Sequence, residues 1–241
     1  MTVPLERALS KLGRATRTEA RALIAEGRVR VNMRVVRDPL TPVVPERAQI
    51  EIDGRTVARP EPLTVALHKP RGVVTTRRDP EGRKTVYDLL VELDAHVVPV
   101  GRLDYATSGL LLLTNDTRLA DWLTEPANAV PRVYVVTARG RVTDRDVARL
   151  QEGVRDRGED LRATSVHVTK ASGRESHLIV ELTEGKNREI RRLFKTIGHE
   201  VTRLRRITIG GLTLGALPLG AWRRLSGDEL RQGFPHAPFD F

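Results

Sequence analysis

The chain has 241 residues, no cysteine, and 41 basic against 31 acidic residues, which gives a net charge of +10. The lack of cysteine excludes disulfide scaffolds, zinc fingers, iron–sulfur clusters and thiol catalysis. Thirty-five of the basic residues are arginine, a side chain that binds phosphate through paired hydrogen bonds and stacks on bases. The composition therefore favours a polyanionic partner such as nucleic acid.

The N-terminal segment predicts two helices. Apolar residues at helical spacing indicate a first helix that begins near Leu5 and ends at Gly13. Thr16 and Glu19 form a capping-box pattern that starts a second helix, and Gly27 ends it. We therefore expect a pair of short helices before the first strand.

Strand signals and a surplus of positive charge follow in the same segment. Alternating apolar residues predict strands over 29–35 and 50–52, and Asp53-Gly54 predicts a turn after the second. Positions 7 to 37 hold nine basic residues and two acidic ones, so the helices would offer phosphate groups a basic face. An ordinary solvated helix surface is the alternative interpretation.

A second, larger domain begins after residues 60–62, where prolines in a polar stretch predict a linker. Strand-like and helix-like runs then alternate without a strict βαβ order, which predicts an α+β domain around a mostly antiparallel sheet. The expected strands are 65–67, 73–76, 110–113, 133–137, 166–168 and 178–182, and the expected helices are 86–93, 116–123, 144–151 and 189–197.

One polar loop has the composition of an active site. Asp104 lies between Gly101 and Gly109, directly before the apolar strand at 110–113. A carboxylate there would be held at the end of a rigid element. Taken alone, the Arg-Leu-Asp triplet is explained as simply by an ion pair between Arg102 and Asp104, but the longer string is more specific.

The string from 101 to 116 resembles the catalytic motif of the RsuA/RluB family, pseudouridine synthases that modify ribosomal RNA. Residues 67–90, 132–136 and 184–193 resemble the family's other motifs in the same order, and 12–32 resembles the S4 RNA-binding domain that precedes them. The resemblance implies an α+β protein with a small S4 (αL-type) domain at 1–59, a linker at 60–62 and a catalytic domain at 63–241. That catalytic domain would have a mostly antiparallel mixed sheet flanked by helices.

Two departures from the family pattern stand out. Met33 occupies a position where S4 domains usually place the glycine of an Asn-Gly turn, so the hairpin there is expected to differ in shape. Asn187-Arg188-Glu189 replaces the His-Gln of many relatives and is more typical of the RluB branch. This second departure favours a large-subunit RNA substrate.

The resemblance also implies roles for individual residues. Asp104 would carry the reaction, by attack on C1′, by addition to C6 of uracil or by removal of a C2′ proton. Arg191 would pair with Asp104, Tyr134 would lie under the flipped-out uracil, and Arg102 would support the nucleotide backbone. The alternatives are an ordinary core residue for Tyr134 and a phosphate contact for Arg191.

Other basic residues are expected to bind RNA because they lie in the N-terminal helices or beside the family motifs. They are Lys11, Arg14, Arg17, Arg21, Arg28, Lys69, Lys186, Arg188 and Arg192. For Lys69, a solvated turn without an RNA contact is an equally good interpretation.

The expected function is isomerisation of uridine to pseudouridine in ribosomal RNA, in 23S RNA within a ribosome-assembly intermediate. The alternatives are a 16S target, a non-catalytic S4-containing RNA-binding or ribosome-assembly protein, and a glycosylase that releases uracil. The isomerisation involves no net redox change, so no cofactor and no metal are expected. No apolar run reaches the roughly 20 residues of a membrane span, so a cytoplasmic protein is expected. The protein is also expected to be monomeric.

Overall fold

The computed structural model describes residues 2–45, 47–57 and 61–241. It divides into two compact units. The first contains the chain up to Leu63 with Ala95–Val97 and Asn115–Thr117, and the second contains the rest. Position 60 of the predicted linker lies outside the described residues, as do 58 and 59 of the predicted S4 domain.

The first unit is a pair of short helices on a small antiparallel sheet. Its elements are β1 (Val3–Pro4), α1 (Leu5–Lys11), α2 (Arg17–Ala25), β2 (Val29–Val31), β3 (Arg34–Val36), β4 (Pro42–Val43), β5 (Ile50–Ile52) and β6 (Arg55–Thr56). The main sheet has the order β3-β2-β5-β6, and β1 pairs with β4. The predicted capping box is confirmed, since Thr16 accepts from the Glu19 amide and the Glu19 carboxylate accepts from the Thr16 amide.

Strands β2 and β3 form a hairpin, which the resemblance to the S4 domain implied, whereas the alternation of apolar residues alone predicted one strand over 29–35. Asn32 and Met33 form its turn with φ angles of 48° and 67°, the left-handed pair that a two-residue hairpin turn requires. Apolar residues alternate on both arms, and the sequence pattern therefore resembles one continuous strand. Met33 adopts the conformation that usually favours glycine and is 80% exposed.

The second unit is a mixed sheet with helices. Its elements are β7 (Thr64–Lys69), β8 (Val98–Pro99), β9 (Ser108–Thr114), α3 (Thr117–Thr124), β10 (Arg132–Arg139), α4 (Asp144–Glu152), β11 (Val154–Asp156), β12 (Glu159–Leu161), β13 (Ser165–Ala171), β14 (Glu175–Leu182), α5 (Glu189–Thr196), β15 (Val201–Ile209), β16 (Leu212–Thr213), β17 (Trp222–Arg224) and α6 (Gly227–Gly233). The sheet has the order β13-β14-β10-β15-β9-β7-β17, with β16 beside β15 and β8 beside β9. The pairing of β15 with β9 is parallel and the other pairings are antiparallel. The predicted α+β fold with a mostly antiparallel mixed sheet is confirmed.

Strand β9 forms the centre of the core. Leu110 to Leu113 are at most 1% exposed, and burial of each such side chain contributes about 2 kcal/mol. Leu110 and Leu112 pack with Leu119 and Leu123 of α3 and with Phe234. The loop that carries Asp104 therefore leads directly into a strand that is buried from Gly109 onward.

Two elements predicted in this unit are wrong. The elements that were not predicted are β8, β11, β12, β15, β16, β17 and α6. Residues 73–76 form only an isolated bridge, Val74 with Thr85, and the helix predicted at 86–93 is one 3-10 turn, Val86–Leu89. Strand β15 was missed because its three arginines resemble a surface patch, although one of them, Arg206, is only 3% exposed. Among the described residues, every helix is too short or too polar to cross a membrane.

Candidate active site

Asp104 lies in a cleft of about 350 Å³ formed by its own loop, strands β10 and β15, and the start of α5. Its side chain is 30% exposed, so the carboxylate is accessible to a ligand. The charged and aromatic side chains that line the cleft are Arg102, Asp104, Arg132, Tyr134, Arg188, Glu189 and Arg206, with Lys186 at the edge of α5. The structure thus brings Asp104, Tyr134 and Arg102 together, as the sequence predicted.

Lys69 holds the Asp104 loop from inside the protein. Its side chain is fully buried, and its Nζ donates to the carbonyl oxygens of Pro70 at 3.0 Å, Asp104 at 3.1 Å and Thr107 at 2.9 Å. Burial lowers the pKa of Lys69 to about 8, although the charge of Asp104 opposes this effect. The prediction that Lys69 contacts RNA is therefore wrong, because its ammonium group fixes the backbone of the loop.

Close strand packing fixes the other end of the loop. Gly109 of β9 pairs with Arg206 of β15, and a Cβ at Gly109 would lie 2.1 Å from the Arg206 carbonyl oxygen. Gly109 also has a φ of +115°, which side-chain-bearing residues rarely adopt. Glycine is thus required where the Asp104 loop enters the core.

The cation in direct contact with Asp104 is Arg188. Its Nη1 lies 3.5 Å from Asp104 Oδ2. Arg188 is the residue directly before α5, and its backbone φ is 51°. Arg191 donates instead to the carbonyl oxygens of Val201 at 2.7 Å and Ala106 at 3.3 Å. The contact ion pair of Asp104 is therefore made by Arg188 in this structure, whereas Arg191 ties α5 to the Asp104 loop. The charge of Asp104 also acts on Arg191, since it opposes the lowering of the Arg191 pKa by burial, and the predicted pairing of these two residues stays a prediction.

Tyr134 and Arg206 lie side by side across the sheet. The register of β10 against β15 shifts by one residue between Val133 and Tyr134, so that Tyr134 pairs with Arg206. Such a bulge re-aims side chains near functional sites. Arg206 Nε donates to the Leu110 carbonyl at 2.8 Å, and its buried Nη2 has no hydrogen-bond partner among the described residues. Arg206 was not predicted as a site residue, and the missed signal was its position in the strand pattern of β15.

A buried acid forms part of the wall of the cleft. Glu189 is 3% exposed, and its Oε2 accepts from the Lys186 amide at 3.1 Å. Its Oε1 is buried without a hydrogen-bond partner in the described part of the chain. Burial raises the pKa of Glu189 to about 7. Glu189 was not predicted as a site residue, although the departure from the His-Gln pattern fell at this position.

Two further basic residues near the cleft are bound by the protein itself. Arg192 is 12% exposed and lies 2.5 Å from both Asp156 and Glu159, which contradicts its predicted contact with RNA. Lys186 pairs with Glu184 and also donates to the Asp160 carbonyl at 2.7 Å. These contacts join α5 and its preceding loop to the β11–β12 hairpin.

The basic residues predicted to bind RNA in the first unit fall into two groups. Arg21 pairs with Glu6, and Arg28 pairs with Asp53 and Glu26, so their charges are balanced nearby. Arg14 and Arg17 are exposed, and Lys11 is half-buried. Arg14 and Arg17 therefore place exposed positive charge just before α2 and at its first residue.

Comparisons with known proteins agree with this geometry. Residues 64–196 match the family model for RNA pseudouridylate synthase, and residues 3–47 match that of the S4 domain. The chain is 37% identical over 230 residues to ribosomal large subunit pseudouridine synthase B of Bacillus subtilis, covering 95% of this chain and 94% of that protein. It is 36% identical over 232 residues to the protein of the same name from Escherichia coli, covering 93% and 80% of the two chains.

A solved structure is similar over nearly the whole chain. The crystal structure of a pseudouridylate synthase superposes with a TM-score of 0.65 at 25% identity, covering 95% of this chain and 99% of that one. Together, the family models, the relatives and the fold confirm the resemblance seen in the sequence motifs. The chain belongs to the RNA pseudouridylate synthase family, and it carries an S4 domain in front of the catalytic domain.

Proposed function

We propose that this protein converts uridine to pseudouridine in the RNA of the large ribosomal subunit, 23S RNA, and that Asp104 carries the reaction. The observation that carries the proposal is an accessible carboxylate beside a cation and an aromatic ring in one cleft. The large-subunit assignment rests on relatives named ribosomal large subunit pseudouridine synthase B that match almost the whole chain.

The reaction is an isomerisation. The bond between N1 of uracil and C1′ of the ribose breaks, the base turns, and a bond forms between C5 and C1′. The proton on C5 is lost and N1 gains one, so no atom is added overall. A single carboxylate can serve as nucleophile or base in such a sequence, and the accessible Asp104 is the group in this cleft suited to it.

The surrounding residues would prepare that carboxylate. Arg188 stabilises the charge of Asp104 by direct contact. Lys69 and Arg191 hold the backbone of the same loop through the carbonyls of Asp104, Thr107 and Ala106. This arrangement fixes the carboxylate before the substrate arrives, which lowers the cost of reaching the reactive geometry.

The substrate uridine must leave its stack to reach the cleft. We infer that the Tyr134 ring holds the flipped uracil, since aromatic side chains stack on unpaired bases in RNA recognition. Arg102 is exposed at the edge of the cleft, where it would support the backbone of the flipped nucleotide. The S4 domain would add phosphate contacts through Arg14 and Arg17.

The assay uses unmodified transcripts of 23S and 16S RNA with purified protein and detects pseudouridine and free uracil by mass spectrometry. We expect pseudouridine in the 23S transcript, no free uracil, and no product from the Asp104→Asn variant. Asp240→Asn, which changes an exposed carboxylate, is the matched control and should leave turnover unchanged.

Each other outcome supports a different function. Product in 16S RNA alone would favour a small-subunit target, and free uracil would indicate a glycosylase. Binding without any product would indicate a non-catalytic RNA-binding or ribosome-assembly protein.

A further inference from the structure

An exposed aromatic ring lies next to Asp104 in sequence but outside the cleft. Tyr105 is 50% exposed, and it is absent from the residues that line the cleft, although Leu103, Asp104 and Thr107 are among them. Aromatic residues make up only 4% of the chain. The other rings are buried or half-buried, as in the cluster of Trp122 with the C-terminal phenylalanines.

The backbone that carries this ring is held on both sides. The Tyr105 carbonyl accepts from the Gly72 amide at 2.8 Å, and the Asp104 carbonyl accepts from the Thr107 amide at 3.0 Å. Lys69 binds the Asp104 carbonyl from the interior. Tyr105 therefore stands on a fixed loop, and a ligand that contacts its ring would lose little additional loop freedom on binding.

An arginine lies over the ring, although its charge is balanced by Asp79 and Glu81. The Arg83 guanidinium lies 6.0 Å from the centre of the Tyr105 ring and is held by two hydrogen bonds to Asp79, at 2.7 and 3.0 Å. Arg71, which precedes the glycine that binds the Tyr105 carbonyl, and Arg102, three residues before Tyr105, are exposed. An exposed ring among cations offers a base a stacking surface and offers its phosphates a charged edge.

The position of Tyr105 determines which base of the RNA strand its ring can contact. The Cα atoms of consecutive residues are about 3.8 Å apart, so Tyr105 lies close to the reacting carboxylate. Since its ring does not line the cleft, the base it meets is not the one inside. A strand whose uridine enters the cleft would keep its adjacent nucleotides outside, where the exposed ring would be available to one of them.

Resting on the proposed function, we propose that Tyr105 is a second base-binding site, on which the unpaired nucleobase adjacent to the target uridine stacks. Tyr134 would hold the uracil inside the cleft and Tyr105 would hold its neighbour outside. Stacking on an aromatic ring tolerates any base, so this site would contribute affinity and fix the direction of the strand. It would not read the identity of the neighbouring base.

The first test measures steady-state turnover on the 23S transcript. Tyr105→Ala should raise KM about tenfold and leave kcat within about twofold, whereas Tyr105→Phe should match the wild type because the ring remains. Val91→Ala, which changes an exposed apolar residue of the same unit outside the cleft lining, is the control. An unchanged KM in Tyr105→Ala, or an equal loss in Tyr105→Phe, would overturn the stacking role.

The second test is a double-mutant cycle that needs no turnover. Asp104→Asn protein binds short RNAs centred on the modified uridine, with an abasic nucleotide directly before, directly after, or two positions away. One of the adjacent abasic RNAs should bind about tenfold more weakly, and this loss should disappear when Tyr105→Ala is added. Equal losses with and without the Tyr105 ring would refute the contact.

The two proposals fail differently. If the wild type makes no pseudouridine, the proposed function fails and the assignment of Tyr105 fails with it. If the wild type is active but neither KM nor the abasic cycle depends on Tyr105, only the second base site is wrong.

Discussion

Replacement of Lys69 by methionine distinguishes two roles for this residue: an anchor of the Asp104 loop and a contact with RNA. Methionine fills a similar volume but leaves the carbonyls of Pro70, Asp104 and Thr107 without their charged donor. A hydrogen bond to a charged group contributes about 1.5–3 kcal/mol, part of which is offset because a buried ammonium no longer has to be desolvated. We expect the free energy of unfolding to fall by about 1–3 kcal/mol.

The effect on catalysis should be larger than the effect on binding. A displacement of about 1 Å at a catalytic group can cost roughly a hundredfold in rate, so kcat of Lys69→Met should fall about 10- to 100-fold. Affinity for the 23S transcript and its dependence on salt should stay unchanged, because a buried lysine neutralises no phosphate. Lys84→Met, at an exposed position, is the control.

Titration of Lys69 gives a second signature. Its pKa of about 8 lies below the ordinary value. As the pH rises above about 8, the ammonium group therefore loses a proton, and with it one of its three hydrogen-bond donors. The wild-type rate should decline there, and Lys69→Met should lack this decline. The slope of log K for RNA binding against log salt concentration, called the salt slope, is the deciding quantity. If Lys69→Met reduced the magnitude of this slope by about 0.7–0.9 and left kcat unchanged, Lys69 would contact phosphate and the anchoring argument would be refuted.

Three further predictions concern the cleft and the S4 domain. Arg188→Met should lower kcat more than affinity, about tenfold or more, because Asp104 loses its contacting cation; a loss confined to affinity would make Arg188 a phosphate contact. Glu189 has a pKa raised to about 7, so its contribution to stability is present below about pH 4.5 and is lost as the pH rises through 7. Denaturant unfolding should therefore show Glu189→Gln gaining about 3 kcal/mol relative to the wild type between pH 4.5 and 8, and a constant difference would contradict this. Reversal of the exposed pair, Arg14→Glu with Arg17→Glu, should weaken 23S binding and flatten the salt slope by one to two units at unchanged kcat; an unaltered slope would mean that these residues do not face RNA.

Local signals in the sequence were sufficient for several elements. The capping box at Thr16 and Glu19 and the apolar run of β9 depend on neighbouring residues, and both formed where the sequence predicted them. The helices predicted at 116–123, 144–151 and 189–197 formed as α3, α4 and α5, with ends shifted by one residue at most.

Elements that depend on distant contacts were harder to predict. The turn at Asn32-Met33 forms without the usual glycine, so the alternation of apolar residues alone predicted an unbroken strand, and only the resemblance to the S4 domain implied a hairpin there. Strand β15 places Arg206 between β9 and β10, and its burial depends on residues nearly a hundred positions away in the chain. A count of charges along the sequence cannot show that burial.

The same distinction applies to the site. The motif around Asp104 identified the loop and the cleft, because those residues are consecutive. The distribution of cations was not predictable, since burial of Lys69 and the α5 geometry that brings Arg188 rather than Arg191 to the carboxylate arise only in the folded chain. The sequence therefore located the Asp104 loop better than it located the side chains that support it.

The most direct test of the central claim maps pseudouridines in the ribosomal RNA of cells that lack this gene. Loss of pseudouridine at a defined position of 23S RNA is expected, with recovery when the wild-type gene is returned and no recovery with the Asp104→Asn variant at equal protein level. An unchanged 23S and 16S map in the deleted strain, or full recovery with Asp104→Asn, would contradict the account.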